Sequence, residues 1–149
     1  MSIDLKPLPQ TYFEDVNVGD EVPGFSYKLD WTEMVKQVSG SQDFYAVHHD
    51  PEFAKSGGHK DIFYNTGWTR ANLYRLLADF AGPDGWVRKL HFEMRKMNRP
   101  NVTIQVRGKV TAKEQTAEGN LVHLDVWIEN EEEGVATPAS GIVILPSKA

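Results

Sequence analysis

Cysteine is absent from this chain of 149 residues. The chain therefore has no disulfide framework, no thiolate nucleophile and no zinc–thiolate site. The absence fits a protein of a reducing compartment, and we expect a cytoplasmic location. No apolar run approaches the roughly 20 residues of a membrane-spanning helix, and the segment Met1–Leu5 lacks the pattern of a signal peptide. We therefore expect neither membrane association nor a signal peptide.

An excess of positive charge is also missing. Lys and Arg number 16 against 21 Asp and Glu, which gives a net charge of −5 and argues against nucleic-acid binding. Hydrophobic residues make up 40% of the chain, as in ordinary globular proteins. We find no repeat, low-complexity tract or linker, so we expect one domain over residues 1–149.

Three segments carry start signals for helices: a capping box, an Asp-Pro pair and an Asn-Thr pair. The predicted helices begin near Asp30, Asp50 and Asn65. We expect the first to end near Val38 and the third, which is the main helix, to end near Ala81, before Gly82-Pro83. Leucine and phenylalanine recur along the main helix at helical spacing, which indicates one apolar stripe.

The second half of the chain has the alternation of apolar and polar residues that is typical of strands. The predicted strands cover residues 90–94, 102–106, 122–128 and 141–145, with a weaker candidate earlier at 21–28. We predict that the four later strands follow one another as hairpins, with turns at 118–120 and 131–134. An antiparallel sheet with one apolar face needs a cover, which the main helix supplies. The predicted fold class is α+β, with a sheet wrapped around one helix.

The segment from Ser41 to Asp50 concentrates the catalytic potential of the sequence. Asp43 stands five residues before His48, and these two residue types together handle a water molecule and its protons near neutral pH. Five residues apart on a helix, they would point to different faces, so they meet only if the chain turns between them. The alternative is that Asp43 and His48 are ordinary polar residues of a loop.

Three further features bear on a site. The adjacent His49 and Asp50 suggest a metal, but a metal needs three or four convergent ligands, and Asp50 is better explained as a helix cap. We predict no metal and no cofactor.

The backbone N–H groups at the start of the main helix, from Tyr64 through Asn65 to Thr66, can stabilise an oxyanion. A basic cluster can hold a phosphate-bearing ligand or form a solvated strand face. Its members are Arg88, Lys89, Arg95, Lys96 and Arg99.

The chain resembles the MaoC-like (R)-specific enoyl-CoA hydratases and dehydratases. Their signature is Asp, any residue, Asn-Pro, an aliphatic residue and His, followed by five residues and then a small residue. The residues that fall at matching places are Asp43, Val47, His48 and Ala54, together with Tyr12–Val16 and Val18–Asp20. Tyr45 and Ala46 depart from the signature, because they stand where it has Asn-Pro. Asn65 stands where many members have His-Gly.

A second set of residues is similar to the small catalytic subunits of steroid side-chain enoyl-CoA hydratases. It comprises Asp43-Phe44, Val47–Asp50, Lys60–Phe63, Asn65 and Ala81–Pro83. The two resemblances imply a hotdog fold and reversible hydration of a trans-2-enoyl thioester, with coenzyme A as the carrier and a bulky acyl group. They imply catalysis by Asp43 and His48. With coenzyme A as the carrier, the candidate residues for binding its phosphates are those of the basic cluster, namely Arg88, Arg95, Lys96 and Arg99.

The family resemblance also implies assembly into a homodimer or a heteromer with a second hotdog chain. An unpaired edge strand invites such pairing, and Trp127, on the otherwise polar face of its strand, has no obvious partner within the chain. Two alternatives to the hydratase stay open. One is a hotdog acyl-CoA thioesterase, in which water attacks the carbonyl carbon, and the other is a non-catalytic hotdog partner subunit.

Overall fold

The computed structural model describes residues 8–148, so the signal-peptide prediction at Met1–Leu5 falls outside the described residues. The helices are α1 (Trp31–Ser41), α2 (Pro51–Ser56) and α3 (Thr66–Ala81). The strands are β1 (Glu21–Tyr27), β2 (Trp86–Phe92), β3 (Ile104–Thr116), β4 (Gly119–Asn130) and β5 (Gly134–Leu145). Two short 3-10 turns lie at Phe13–Asp15 and Ala46–His48. Among the described helices, none is long and apolar enough to cross a membrane.

The three predicted helix starts are confirmed by side-chain caps. Asp30 Oδ1 accepts a hydrogen bond from the Glu33 amide at 3.1 Å, and Asn65 Oδ1 accepts one from the Trp68 amide at 2.8 Å. Asp50 caps α2 in the same way. Helix α1 runs to Ser41 rather than to Val38, because glycine weakens a helix without necessarily ending it. The left-handed residue that ends α1 is Gln42, with φ of 59°.

The five strands form one antiparallel sheet in the order β1-β3-β4-β5-β2. This confirms the α+β prediction of an antiparallel sheet with one long helix. The prediction of four strands in hairpin succession is wrong at one step, because β2 pairs with β5 and not with β3. Residues 93–103 carry the chain from one edge region of the sheet to the other, and a connection of that length does not require its flanking strands to pair.

Strand bounds also differ from the prediction. β2 begins at Trp86 and stops at Phe92, so Met94 lies beyond it, and β5 begins at Gly134 rather than Gly141. Gly119 opens β4 instead of lying inside a turn. Alternation marks only the part of a strand with one buried and one exposed face, whereas Ala136 and Thr137, adjacent in the early part of β5, are both fully buried.

Trp127 has a partner within the chain, contrary to the prediction. Its indole Nε1 donates a hydrogen bond to Glu129 Oε2 at 2.9 Å. Residues two apart on a strand share one face of the sheet, which brings this pair together. Trp127 therefore gives little support to an interface.

The core lies where α3 rests on the sheet. Leu73, Leu76 and Leu77 are fully buried there, against valine, leucine and isoleucine side chains of β3, β4 and β5. Two glycines permit the close approach: a Cβ at Gly141 would lie 2.7 Å from the Leu77 methyl carbons, and one at Gly108 would lie 3.1 Å from Leu76 Cδ2. This packing fixes the direction of α3 and therefore the position of its N-terminus.

Candidate active site

Asp43 is placed by the end of α1. Helix α1 stops at the left-handed Gln42, whose side-chain Nε2 donates to the Ser39 carbonyl at 2.6 Å. The left-handed residue redirects the chain, so that Asp43 is the first residue to leave the helix. Its side chain is 41% exposed, which leaves the carboxylate open to a small molecule.

His48 is buried and held at one ring nitrogen. It ends the 3-10 turn Ala46–His48 and is only 7% exposed. The rings of Phe63 and Tyr45 approach it edge-on, with centroid distances of 5.2 Å and 6.3 Å. Its Nδ1 lies 2.8 Å from the Phe63 carbonyl oxygen. Because a carbonyl only accepts, Nδ1 carries a proton, and Nε2 of the neutral ring is an acceptor.

The turn between Asp43 and His48 brings the two side chains together. His48 Nε2 and Asp43 Oδ2 lie 3.5 Å apart. In the neutral form of the ring both atoms are acceptors, so they do not hydrogen-bond to each other directly, and each can accept from a third group placed between them. Tyr45, which replaces the Asn of the family signature, is exposed.

Asn65 joins this pair to the N-terminus of α3. While its Oδ1 caps the helix, its Nδ2 donates to Asp43 Oδ2 at 3.0 Å and to Ser41 Oγ at 2.9 Å. Gln37 Nε2 in turn donates to Asn65 Oδ1 at 2.7 Å. Sequence reasoning assigned only the backbone of Asn65 to the site. The Asn-Thr-Gly start of the helix was a signal for a cap, but nothing in the sequence pointed to a contact with Asp43.

The helix start offers backbone donors, although not all of the predicted ones. The amide of Tyr64 donates to the Asn98 carbonyl at 2.9 Å and is therefore occupied. Within residues 8–148, the amides of Asn65, Thr66 and Gly67 have no hydrogen-bond acceptor. The first amides of a helix lack partners of their own and carry partial positive charge. The available donors are thus one residue further along the chain than the sequence indicated, and Gly67 was missed.

The predicted basic cluster divides into two parts. Arg95, Lys96 and Arg99 line a cleft of about 300 Å³ together with Lys60 and His59. Arg88 lies elsewhere and pairs with Glu118 at 3.2 Å. The two parts separate because β2 ends between them, and the residues after Phe92 leave the sheet.

The basic cleft adjoins the Asp43–His48 pair through aromatic contacts. The ring of His59, on the cleft wall, packs against Phe63 with a centroid distance of 4.7 Å, and Phe63 packs against His48. Acidic neighbours already engage the cations, since Lys60 lies 3.4 Å from Glu133 and Arg99 pairs with Glu132. An anionic ligand would compete with these ion pairs. The Lys60 side chain is exposed, and a pair of that kind contributes little, whereas the Arg99 side chain is mostly buried.

His49 and Asp50 do not join the pair. His49 is exposed, and Asp50 Oδ1 accepts from the amides of Glu52 and Phe53 at 3.0 and 3.1 Å. Asp50 is therefore the cap that the sequence predicted.

The site as a whole combines an acid, a histidine and free helix amides. This arrangement is suited to handling water beside a carbonyl group.

Comparison with known proteins identifies the class of this fold and site. No protein-family model matches the chain. Over 95 residues it is 30% identical to the 3-oxo-4,17-pregnadiene-20-carboxyl-CoA hydratase beta subunit of Mycobacterium tuberculosis; the match covers 64% of this chain and 74% of that protein. A chain in the crystal structure of the ChsH1–ChsH2 complex from Mycobacterium tuberculosis matches with a TM-score of 0.77 and 27% identity, over 87% of this chain and 98% of that chain.

A more distant structure has the same fold. The R-hydratase PhaJ1 from Pseudomonas aeruginosa matches with a TM-score of 0.78 and 14% identity, over 92% of this chain and 86% of that chain. The fold is therefore the hotdog fold, and the predicted class, a hydro-lyase of the enoyl-CoA hydratase type, is confirmed. The chain belongs to the MaoC-like hydratase and dehydratase family.

Proposed function

We propose that this chain adds water reversibly to a trans-2-enoyl-CoA, with Asp43 and His48 as the catalytic pair. The observation that carries the proposal is the 3.5 Å separation of Asp43 Oδ2 and His48 Nε2, beside the free amides of α3. The family resemblance implies the (R)-3-hydroxyacyl product. The same chemistry in reverse is the dehydration of that product.

The two acceptors are spaced for one water molecule. His48 Nδ1–H donates its hydrogen bond to the Phe63 carbonyl oxygen, which leaves Nε2 as an acceptor. A water between Asp43 Oδ2 and His48 Nε2 then donates one hydrogen to each, at ordinary hydrogen-bond lengths of about 2.8 Å. Both hydrogens of the water are then engaged, so an oxygen lone pair points away from the protein. That lone pair faces the β-carbon of an enoyl group that lies across the pair.

In the addition, the water oxygen forms a bond to the β-carbon while one member of the pair takes a proton from the water. The β-carbon to α-carbon double bond shifts its electrons to the thioester oxygen, where the Thr66 and Gly67 amides stabilise the enolate. The pair then delivers this same proton to the α-carbon, so it ends with the protons with which it began. The net change is one water added. Groups this close titrate together, so the pair is treated as a unit.

The coenzyme A part of the substrate is assigned to the basic cleft. Arg95, Lys96 and Lys60 line it, and His59 and Phe63 connect it to His48. Cationic side chains of this kind bind phosphate through charge-assisted hydrogen bonds. Arg88 lies on β2, outside the cleft, and is paired with Glu118.

The acyl group is proposed to be bulky. Phe44, Tyr45 and Phe53 are exposed aromatic residues, and the Tyr45 ring contacts both Phe53 at 5.6 Å and His48 at 6.3 Å. Exposed rings in a group usually meet another apolar surface. The mycobacterial relative is named for a substrate with a pregnadiene group, which supports a ring system here.

We propose further that the chain works as a dimer with itself or with a second hotdog chain. β2 is an edge strand of the sheet, and Trp86 on it is 65% exposed. Open edges and exposed aromatic residues invite pairing. The mycobacterial protein of the solved structure forms a complex of two kinds of chain, which supports the heteromeric form. Light scattering of the chain alone tests this, since a fully active monomer at micromolar concentration would contradict it.

One assay separates the proposed function from its alternatives. The chain, alone and co-expressed with a second hotdog chain, is mixed with crotonyl-CoA and with an enoyl-CoA that bears a polycyclic acyl group. Loss of the enoyl absorbance without thiol release is the expected result, and we expect a higher rate on the bulkier substrate. Release of free thiol would indicate a thioesterase. Neither change, in both preparations, would indicate a non-catalytic subunit.

A further inference from the structure

We infer that the side chain of Asn65 is a positioning residue, which holds the Asp43 carboxylate toward His48, and that the Trp68 amide, with Gln37 as a second donor, sets the orientation of its carboxamide. The inference rests on the proposed function, because it assigns a role within the Asp43–His48 pair. This role is separate from the helix cap and the backbone donor that Asn65 also supplies.

The carboxamide of Asn65 uses all of its hydrogen-bonding capacity. Its Oδ1 accepts from the Trp68 amide at 2.8 Å and from Gln37 Nε2 at 2.7 Å. Its Nδ2 donates to Asp43 Oδ2 at 3.0 Å and to Ser41 Oγ at 2.9 Å. A primary amide offers two acceptor sites and two donor hydrogens, so every site is filled. Asn65 is only 2% exposed, so water does not compete for these bonds.

The orientation of the carboxamide has one solution. A flipped amide would place its NH2 group against the Trp68 amide, which is also a donor, and its oxygen against the Asp43 carboxylate. The Trp68 amide is a backbone group whose direction α3 fixes, and therefore it cannot adapt. Gln37 adds a second donor on the same side. Nδ2 must then face Asp43.

Asp43 depends on this contact. It lies on the loop after the left-handed Gln42, and its side chain is partly exposed. Within the part of the chain that the structure describes, Asn65 Nδ2 is the one donor that hydrogen-bonds to the Asp43 carboxylate. The bonded oxygen, Oδ2, is the same atom that lies 3.5 Å from His48 Nε2. The rigid helix thus sets the distance between the two members of the pair.

A cap alone does not require asparagine. Serine caps a helix about as well as asparagine, but its hydroxyl is too short to cap Trp68 and reach Asp43 at once. Asn65→Ser therefore keeps the cap and removes the donor, whereas Asn65→Ala removes both. Both variants keep the backbone amides of the helix start. The pair of variants separates a role in stability from a role in positioning.

The experiment measures kcat, KM and the melting temperature of the chain in the dimer or complex in which it is active. Asn65→Ser should lower kcat by at least ~10-fold, because small displacements of a catalytic group are costly, while KM stays within about 3-fold and Tm falls modestly through the lost Nδ2 bonds. Asn65→Ala should show the same loss of kcat with an added fall in Tm of about 2–4 °C. Gln37→Met, similar in size but unable to donate, should lower kcat by a smaller factor.

Asp30→Ala is the matched control for the loss of a cap, since it removes the cap of α1, and Asp30 has no hydrogen bond to Asp43 or His48 within the described residues. It should lower Tm by a similar amount and retain most of kcat. An active wild type together with an Asn65→Ser variant of unchanged kcat would overturn the inference alone. A change confined to KM would also overturn it. A wild type without hydration of any enoyl-CoA would overturn the proposed function, and this inference with it.

Discussion

The N-terminus of α3 and the later part of the same helix are fixed by different kinds of interaction. At the N-terminus of α3, the Asp43–His48 corner is organised by directional side-chain hydrogen bonds among Gln37, Ser41, Asp43 and Asn65. Further along, Leu73, Leu76 and Leu77 press onto the sheet with no polar partner involved. Directional bonds fix atoms to within fractions of an ångström, whereas apolar packing contributes most of the free energy. We call the first group of residues the corner and the three leucines, with the sheet residues they contact, the seam. We expect substitutions in the corner to alter the catalytic rate and substitutions in the seam to alter stability.

The largest effect should come from the catalytic pair. Asp43→Asn preserves shape but removes the carboxylate, and His48→Ala removes the imidazole. Each should reduce kcat by ~100-fold or more, the scale of lost acid–base catalysis, while the melting temperature changes by only a few degrees. Initial rates on an enoyl-CoA and thermal melts measure the two quantities.

The control for this prediction is Asp125→Asn, which changes an exposed carboxylate on β4. It should retain nearly full activity. A folded Asp43→Asn or His48→Ala variant with wild-type kcat would show that the pair is not catalytic, and would remove the contrast between the corner and the seam.

The next effect concerns the seam between α3 and β5. Leu77→Ala should lower the free energy of unfolding by about 2–5 kcal/mol through lost burial and a cavity. Gly141→Ala should lower it by about 1–3 kcal/mol, because the new Cβ would lie 2.7 Å from the Leu77 methyl carbons. The double variant should lose less free energy of unfolding than the two single variants added together, because the alanine side chain at position 141 enters the space that Leu77 vacates.

Denaturant unfolding of the three variants gives these free energies. The folded fraction of each of these variants should keep a kcat close to that of the wild type, since the substitutions lie outside the corner. Strictly additive losses would show that Gly141 and Leu77 are not in contact, and a large loss of kcat in folded Leu77→Ala would join the seam to the corner.

The sequence was sufficient for elements whose signal is local. The caps Asp30, Asp50 and Asn65 are recognised from the residue type and its neighbours, and the structure places all three as predicted. The fold class follows from a change of period after the main helix. The position of β2 beside β5 could not be derived, because strand order depends on contacts far apart in sequence.

The site shows the same division. The sequence predicts that Asp43 and His48 can meet only if the chain turns between them, because residues five apart on a helix point to different faces. That the Tyr64 amide is occupied by Asn98 could not be foreseen, because Asn98 lies in the connection after β2. The contact between Asn65 and Asp43 joins two elements 22 residues apart, and no local pattern encodes it.

A smaller effect is expected at the cap of α2, which borders the corner without belonging to it. Asp50→Ala removes the acceptor for two amides and should cost about 0.5–2 kcal/mol of unfolding free energy. Asp50→Ser, which keeps a cap, should cost little. Both should retain most of kcat. A folded Asp50→Ala variant as inactive as Asp43→Asn would place Asp50 inside the site and enlarge the corner.

The smallest effect is expected at Tyr64, where the corner meets the buried interior. Its ring is 1% exposed and stacks on Trp68 with a centroid distance of 4.1 Å, but its hydroxyl has no hydrogen-bond partner among the described residues. Tyr64→Phe keeps the stacked ring and removes the unpaired hydroxyl. Because an unsatisfied buried group is costly, the variant should gain up to about 1 kcal/mol of unfolding free energy.

The pH dependence of this gain has a definite sign. Burial raises the pKa of Tyr64 above its ordinary value of 10.0. As the pH rises past 10.0, the tyrosine ionises in the unfolded chain but not in the folded one, which lowers the stability of the wild type. The advantage of Tyr64→Phe should therefore widen above that pH. Tyr74→Phe, at an exposed position of the same helix, is the control and should change stability by less than about 0.5 kcal/mol. A Tyr64→Phe variant that is less stable than the wild type would show that the hydroxyl is bonded in solution, and that the polar corner extends further into the core than these contacts indicate.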